Sequence, residues 1–289
     1  MKHLTNKTVA ISGSTGGIGK ELCAHAAALG AAELILLDRN AERSRALADE
    51  LSARFPALSI RRITVDMEDI ELVRHAADEL LTTPPDYLIL NAGAYSIPRH
   101  KCSTGFDNVF QINFLSPYFL ARKLLPTIAE RGGKIVAVGS IAHNYSKADP
   151  KDIDFSTRTK ASKVYGNAKR YLMYSLWGLD EFRNNIAIAH PGITFTNITA
   201  HYPKLIFAII KHPMKIIFMK PKKASLSIME ALFCDCEKNE WIGPRLFNVW
   251  GKPKKQKVKT ATPDEASAIC ATAERLYLKT EKDSTKQGG

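Results

Sequence analysis

No stretch of this chain holds the ~18 consecutive apolar residues that a membrane-spanning helix needs. Met1 to Lys7 contain no apolar block, so no secretory leader is expected. Cysteine is scarce and odd in number, with five residues at Cys23, Cys102, Cys234, Cys236 and Cys270. That argues against a disulfide framework and for a reducing, cytoplasmic setting. Cys234 and Cys236 are two apart in a helical pattern, where side chains do not face each other. They read as small buried hydrophobes, and no metal site is expected. Internal repeats and interdomain linkers are also missing.

Acidic residues are absent from two stretches. His201–Lys223 has six lysines and no acid, and Lys252–Thr260 has five lysines and no acid. Taking these eleven out of 41 Lys+Arg leaves 30 against 29 acids, so the net charge of +12 is local. Nucleic acid is therefore not the expected partner. A lysine cluster interleaved with apolar residues points to an anionic surface.

What is present alternates. Short apolar runs at 8–12, 33–37, 59–65, 87–90, 134–138 and 186–189 read as strands, and 246–249 as a final one. Helical patterns lie between them, including 104–130 (interrupted near Pro117), 160–182 and 224–233. Such alternation predicts an α/β fold, a mostly parallel doubly wound sheet with helices on both faces, the Rossmann arrangement. Residues 1–280 are expected to form one domain and 281–289 a frayed tail. Thr262-Pro263-Asp264-Glu265 is a capping box that opens a terminal helix.

Between the first strand and first helix lies Ser12-Gly13-Ser14-Thr15-Gly16-Gly17-Ile18-Gly19. Glycines there let backbone approach a pyrophosphate, and the helix N-terminus offers N–H groups and a positive dipole end. A nicotinamide or other dinucleotide is the expected cofactor. Asp38 ends the second strand, where an acid binds ribose hydroxyls and repels a 2′-phosphate, favouring NAD(H). Arg39 follows it and leaves NADP(H) open.

Tyr165 and Lys169 are four apart in a long helical pattern, so they share a face. A cation beside a phenol lowers the phenol's pKa toward a value suited to proton transfer. Ser140 sits just past the fifth strand, at the strand end where ligands bind in such sheets.

With these pieces in order, the chain resembles the short-chain dehydrogenase/reductase family from Thr8 to Lys282. Gly13-x-x-x-Gly17-x-Gly19 matches its cofactor loop. Asp66, with Met67 beside it, matches the acid that contacts adenine. Asn91-Ala92-Gly93 matches the motif that braces the sheet near adenosine. Pro191-Gly192-x-x-x-Thr196 matches the motif that holds nicotinamide. Asn113, Ser140, Tyr165 and Lys169 match the catalytic tetrad. Gly139-Ser140-Ile141-Ala142-His143, His190-Pro191-Gly192 and the late Ala273-Glu274-Arg275-Leu276-Tyr277 run are similar to the retinol-dehydrogenase-like branch. Ala168, Ser12 and Asp38 depart from the usual pattern.

The resemblance implies NAD(P)-dependent interconversion of an alcohol and a ketone or aldehyde. Tyr165 would move the proton, Lys169 would lower its pKa and bind the nicotinamide ribose, Ser140 would polarise the substrate oxygen, and Asn113 would hold a water. A lipophilic substrate is expected, and a homodimer paired through the two long helices, with Phe114, Phe119, Tyr171 and Trp177 as candidates. The resemblance places a substrate lid at about 197–223, and this greasy, basic stretch either touches a membrane or packs on its own domain or against a second subunit. The competing reading is a non-catalytic dinucleotide sensor or a membrane-surface scaffold.

Overall fold

The computed structural model describes residues 3–193, 219–258 and 261–285. Thr196 and most of the expected lid lie outside these residues. The chain runs β1 (Thr8–Ser12), α1 (Gly17–Ala28), β2 (Glu33–Asp38), α2 (Ala41–Arg54), β3 (Ser59–Thr64), α3 (Ile70–Thr82) and β4 (Tyr87–Leu90). A short α4 (Asn108–Phe110) passes through a π turn (Gln111–Leu115) into α5 (Ser116–Glu130). Then follow β5 (Lys134–Val138), α6 (Ala161–Trp177), β6 (Ile186–Ala189), α7 (Pro221–Ala231), β7 (Glu240–Leu246), β8 (Trp250–Lys257) and α8 (Pro263–Thr285).

The eight strands form one sheet in the order β3-β2-β1-β4-β5-β6-β7-β8. All neighbours are parallel except β7 and β8. Strand order therefore reverses between β1 and β4, which opens a crevice at their carboxyl ends. Alternate side chains of the buried strands feed two cores. Ala10, Ile35, Leu88 and Ile135 join one, packed against α3, α5 and α6. Val9, Ile11, Leu34 and Val136 join the other, packed against α1, α2 and α7.

Four features differ from the sequence expectation. The final strand expected at 246–249 is instead the end of β7 at Leu246 and the turn 247–249 that joins it to β8, with Phe247 at φ 53 and Asn248 at φ 57. The hairpin escaped notice because β8 carries lysines and Pro253 instead of an apolar alternation, as exposed edge strands do. The long helix at 104–130 begins only at Asn108, where Asp107 caps it by accepting from the Val109 N–H at 3.0 Å. Pro117 has no N–H for the carbonyl four residues back, that of Asn113, and the helix widens to a π turn there. The other long helix stops at Trp177, with Gly178 as its C-cap, rather than reaching Phe182. The terminal helix continues to Thr285, into the segment expected to fray.

Helix α8 also removes the stated basis for pairing. Phe114, Phe119, Tyr171 and Trp177 are all buried within the chain. Tyr277 of α8 lies 5.6 Å from the Phe119 ring, and Glu274 pairs with Arg122 at 3.1 Å. None of the described helices is long and apolar enough to cross a membrane.

Candidate active site

The crevice is a cleft of about 660 Å³ lined by the glycine-rich loop, the end of β2, the turn after β3 and the segment after β4. Gly13, Thr15, Gly17, Ile18, Gly19, Asp38, Arg39, Asp66, Met67, Asn91, Ala92 and Gly93 all border it. Gly19 is where α1 closes on the loop, and a Cβ there would lie 2.1 Å from the Gly13 carbonyl oxygen. Gly16 caps α1 without any side-chain bond, so the first-turn N–H groups have no capping side chain competing for an anion. These features fit a pyrophosphate.

The loop is pinned from two sides. Ser12 Oγ accepts from the N–H groups of Asn91 and Ala92, both at 3.0 Å. Asn91 Nδ2 donates to the carbonyls of Ser12 at 3.0 Å and Gly13 at 3.1 Å. On the other side Asp38, only 4% exposed, accepts from Ser14 Oγ, and from the Thr15 N–H and Thr15 Oγ1 at 3.0 Å each. Both carboxylate oxygens are engaged by the loop, so Asp38 is a brace. Its expected grip on a ribose, the ground for favouring NAD(H), is not supported by this arrangement. Arg39, with a side chain 68% exposed, stands 3.9 Å from Asp66. Arg43 also lines the cleft and was not anticipated, although a second base four residues after Arg39 was visible in the sequence.

Other unanticipated lining residues come from the loop after β4 and the turn after β3. His100 Nε2 meets Glu68 Oε2 at 3.0 Å, and Asn108 Nδ2 donates to His100 Nδ1 at 3.2 Å. That network puts the ring hydrogen on Nε2. Cys102 shares the cluster, with ligand atoms within 4.8 Å of one another. Glu68 and His100 thus form a hydrogen-bonded rim of the cleft.

The tetrad residues converge farther along the sheet. Ser140 leaves β5 and caps a short 3₁₀ turn (Ile141–Tyr145), its Oγ accepting from the Ala142 N–H at 3.2 Å. His143 Nδ1 donates to the Ser140 carbonyl at 2.6 Å and fixes the turn. Helix α6 presses on this turn at Gly166, where a Cβ would lie 2.2 Å from the Ala142 carbonyl oxygen. The close approach brings the neighbouring Tyr165 phenol to the Ser140 hydroxyl, whose influence opposes the rise in its pKa. One turn on, Lys169 Nζ donates to the Val138 carbonyl at 2.9 Å and lies 5.8 Å from the Tyr165 ring centre. Asn113 sits in the π turn, and both its Nδ2 hydrogens are used, on the carbonyls of Ala94 and Val109 at 2.8 Å each. Pro191 follows β6 and is buried.

The electrostatics differ from the expected pairing. Burial pushes the Tyr165 phenol up to about 12, with Ser140 opposing and Tyr95 adding to the rise. Burial brings the Lys169 ammonium down to about 8. Desolvation thus outweighs the cation–phenol attraction, because the ammonium is bonded to Val138 and sits over the ring face. His143 and His190, both buried, are pushed down to about 4 and are neutral near pH 7. Tyr95 stacks edge-on against Tyr165 with ring centres 5.3 Å apart.

This geometry has counterparts among known proteins. The model of the short chain dehydrogenase family matches residues 7–150. The Short chain dehydrogenase resG of Aspergillus sclerotiorum is 32% identical over 50% of this chain, a match that spans 44% of that relative's length. A candidate daunorubicin C-13 ketoreductase, DnrU, of a Streptomyces species is 31% identical, with 68% of each chain covered. The L-sorbose reductase of Gluconobacter frateurii, solved with NADPH and L-sorbose, shares the fold at a TM-score of 0.62 and 20% identity, over 80% of this chain and 91% of that one. With a relative at 31% identity matched across two thirds of its length, and the family's own pattern laid over the first five strands, the chain belongs to the short-chain dehydrogenase family.

Proposed function

We propose that this protein reduces a carbonyl to an alcohol, and runs the reverse reaction, with a nicotinamide dinucleotide held in the cleft. The observation that carries the reading is the convergence of Tyr165, Ser140 and Lys169 at the carboxyl end of β5. The dinucleotide, when bound, exchanges a hydride with the substrate carbon. Tyr165 gives the carbonyl oxygen its proton, and a phenol raised to about 12 keeps that proton at neutral pH. Ser140 orients the same oxygen through its hydroxyl. Lys169 supplies positive charge below Tyr165 and a donor for a ribose hydroxyl. The Asn113 carbonyl, which Pro117 cannot hydrogen-bond, is free of that helical partner and suits a water on the way to Lys169. Pro191 and Thr196, the latter outside the described residues, would line the nicotinamide end.

For the cofactor we favour NADP(H). Asp38 is spent on Ser14 and Thr15, while Arg39 and Arg43 line the cleft beside it. Phosphate recognition by a guanidinium is charge-assisted and contributes about 1.5–3 kcal/mol. Arg39→Ala should therefore weaken NADPH about tenfold to a hundredfold and NADH little, as read by titrating each dinucleotide. Equal losses for both would remove Arg39 from phosphate recognition.

The substrate we infer is apolar, on the retinol-dehydrogenase-like features around Ser140 and His190. Purified protein tested with NADPH against steroid, retinal and aliphatic carbonyls checks this. Turnover confined to sugars would overturn it. A monomeric mass in solution would overturn pairing, and failure to bind anionic vesicles at low salt would overturn membrane contact by the His201–Lys223 segment.

The pH profile tests the roles. Lys169 is charged below about 8 and neutral above it. Reduction should therefore be level below about pH 8 and decline above it, since the cation is lost while Tyr165, at about 12, stays protonated. In Lys169→Arg any residual activity should keep its level into more alkaline solution, because a guanidinium holds its charge there. A wild-type limb that Lys169→Arg leaves in place would assign it to another group.

A further inference from the structure

The β7–β8 hairpin projects an aromatic residue where hairpin chemistry disfavours one. Its turn is centred on Phe247-Asn248, and both residues are left-handed, the arrangement that Asn-Gly or Gly-Gly normally supplies. A bulky side chain at positive φ is strained, and such strain persists only where the surroundings over-determine it. Here they do. The Val249 N–H donates to the Leu246 carbonyl at 2.9 Å, and His190 Nε2 donates to the Asn248 carbonyl at 3.0 Å. Gln256 Nε2 bridges to the Pro244 carbonyl at 3.0 Å.

The strained residue does not pack inward. Phe247 is 87% exposed, and the cross-strand pair beside it, Leu246 and Trp250, is 53% and 39% exposed. Isolated exposed hydrophobes are ordinary, but three at one tip make a patch. The flanks are basic. From Trp241 to Lys257 there is no acidic residue, and Arg245, Lys252 and Lys254 stand close to the tip on its two strands. Lys255 is set apart from these, since it donates to the Asp235 carbonyl at 2.8 Å and lies 3.7 Å from Glu240.

We propose that this hairpin is a membrane-surface anchor, in which Phe247, with Leu246 and Trp250, enters the acyl boundary of an anionic bilayer while Arg245, Lys252 and Lys254 meet its headgroups. Aromatic residues settle at the bilayer interface, and clustered bases are drawn to anionic lipid. Charge decides for lipid over an apolar protein groove, because a rim with bases and no acid complements a uniformly anionic surface. The hairpin abuts the Pro191-Gly192 segment, where a Cβ on Gly192 would lie 2.8 Å from the Val249 carbonyl oxygen. The anchored face is therefore the one beside the catalytic end of the sheet. The proposal stands whether or not the protein turns over a substrate.

The test is flotation of the full chain with phosphatidylcholine vesicles, with and without phosphatidylserine. Phe247→Gly removes the aromatic and also relaxes the left-handed turn, so lost binding cannot be ascribed to a damaged hairpin. The wild type should bind the phosphatidylserine vesicles and release as salt rises. Phe247→Gly should bind about tenfold less while melting at an equal or higher temperature. Lys252→Gln with Lys254→Gln should lose about fivefold per lysine removed. Undiminished binding by Phe247→Gly would assign the contact to another surface and overturn the proposal. So would equal binding to vesicles lacking phosphatidylserine. A wild-type mass that falls to half in Phe247→Gly would make the hairpin a contact between copies and overturn it too.

Discussion

Tyr165→Phe is expected to lower turnover by about 10²–10⁴ while dinucleotide affinity holds. The ring stays, so the edge contact with Tyr95 at 5.3 Å and the Lys169 ammonium 5.8 Å from the ring centre keep their packing. What goes is the hydroxyl beside Ser140, the proposed proton donor. Rate on an established carbonyl substrate and dinucleotide titration separate the two effects. Activity near that of the wild type would sink the tyrosine mechanism and assign the proton transfer to another group. A collapse of both rate and binding would instead show that the hydroxyl holds the site together.

Glu265→Ala should destabilise the fold by about 3–5 kcal/mol, the cost of leaving a buried charge without its partner. Arg170 is 1% exposed and meets Glu265 through two bonds, Nε to Oε1 at 2.8 Å and Nη2 to Oε2 at 2.7 Å. Glu265 also accepts from the Ala148 N–H at 2.8 Å, and Arg170 donates to the His143 carbonyl at 3.1 Å. The pair thus ties α8 to α6 and to the turn that carries Ser140. Arg170→Met combined with Glu265→Leu should recover much of the stability, because apolar replacements of a whole buried pair are often neutral. Denaturant unfolding of the two single variants and the double variant gives the coupling. A single-variant loss below about 1 kcal/mol would mean that water reaches the arginine.

The sheet was legible because β1, β2, β4, β5 and β6 are buried on both faces and so read as unbroken apolar runs. The site was legible where spacing imposes geometry, as with Tyr165 and Lys169 on one helical face and the glycines before α1. Three things were not. The direction of the Tyr165 shift depends on how far burial exceeds attraction, which no spacing reports. The use of Asp38 depends on whether Ser14 and Thr15 reach it, a matter of side-chain direction. Glu265 was read as the far end of a capping box, and Thr262 Oγ1 does accept from its N–H at 3.2 Å. Its carboxylate, however, answers a stronger demand from Arg170 on a helix 95 residues earlier.

That separation has a consequence for how the protein is made. Synthesis proceeds at roughly 5–20 residues per second, so Glu265 follows Arg170 by roughly 5–20 s. Through that interval the nascent chain carries the arginine without its counter-ion, beside a half-built sheet. The contact that ties Arg170 and the Ala148 N–H to Glu265 can form only after α8 has left the ribosome. A chain interrupted before α8 would hold Asn113, Ser140, Tyr165 and Lys169 and still lack the carboxylate that pairs with Arg170 beside the turn after Ser140.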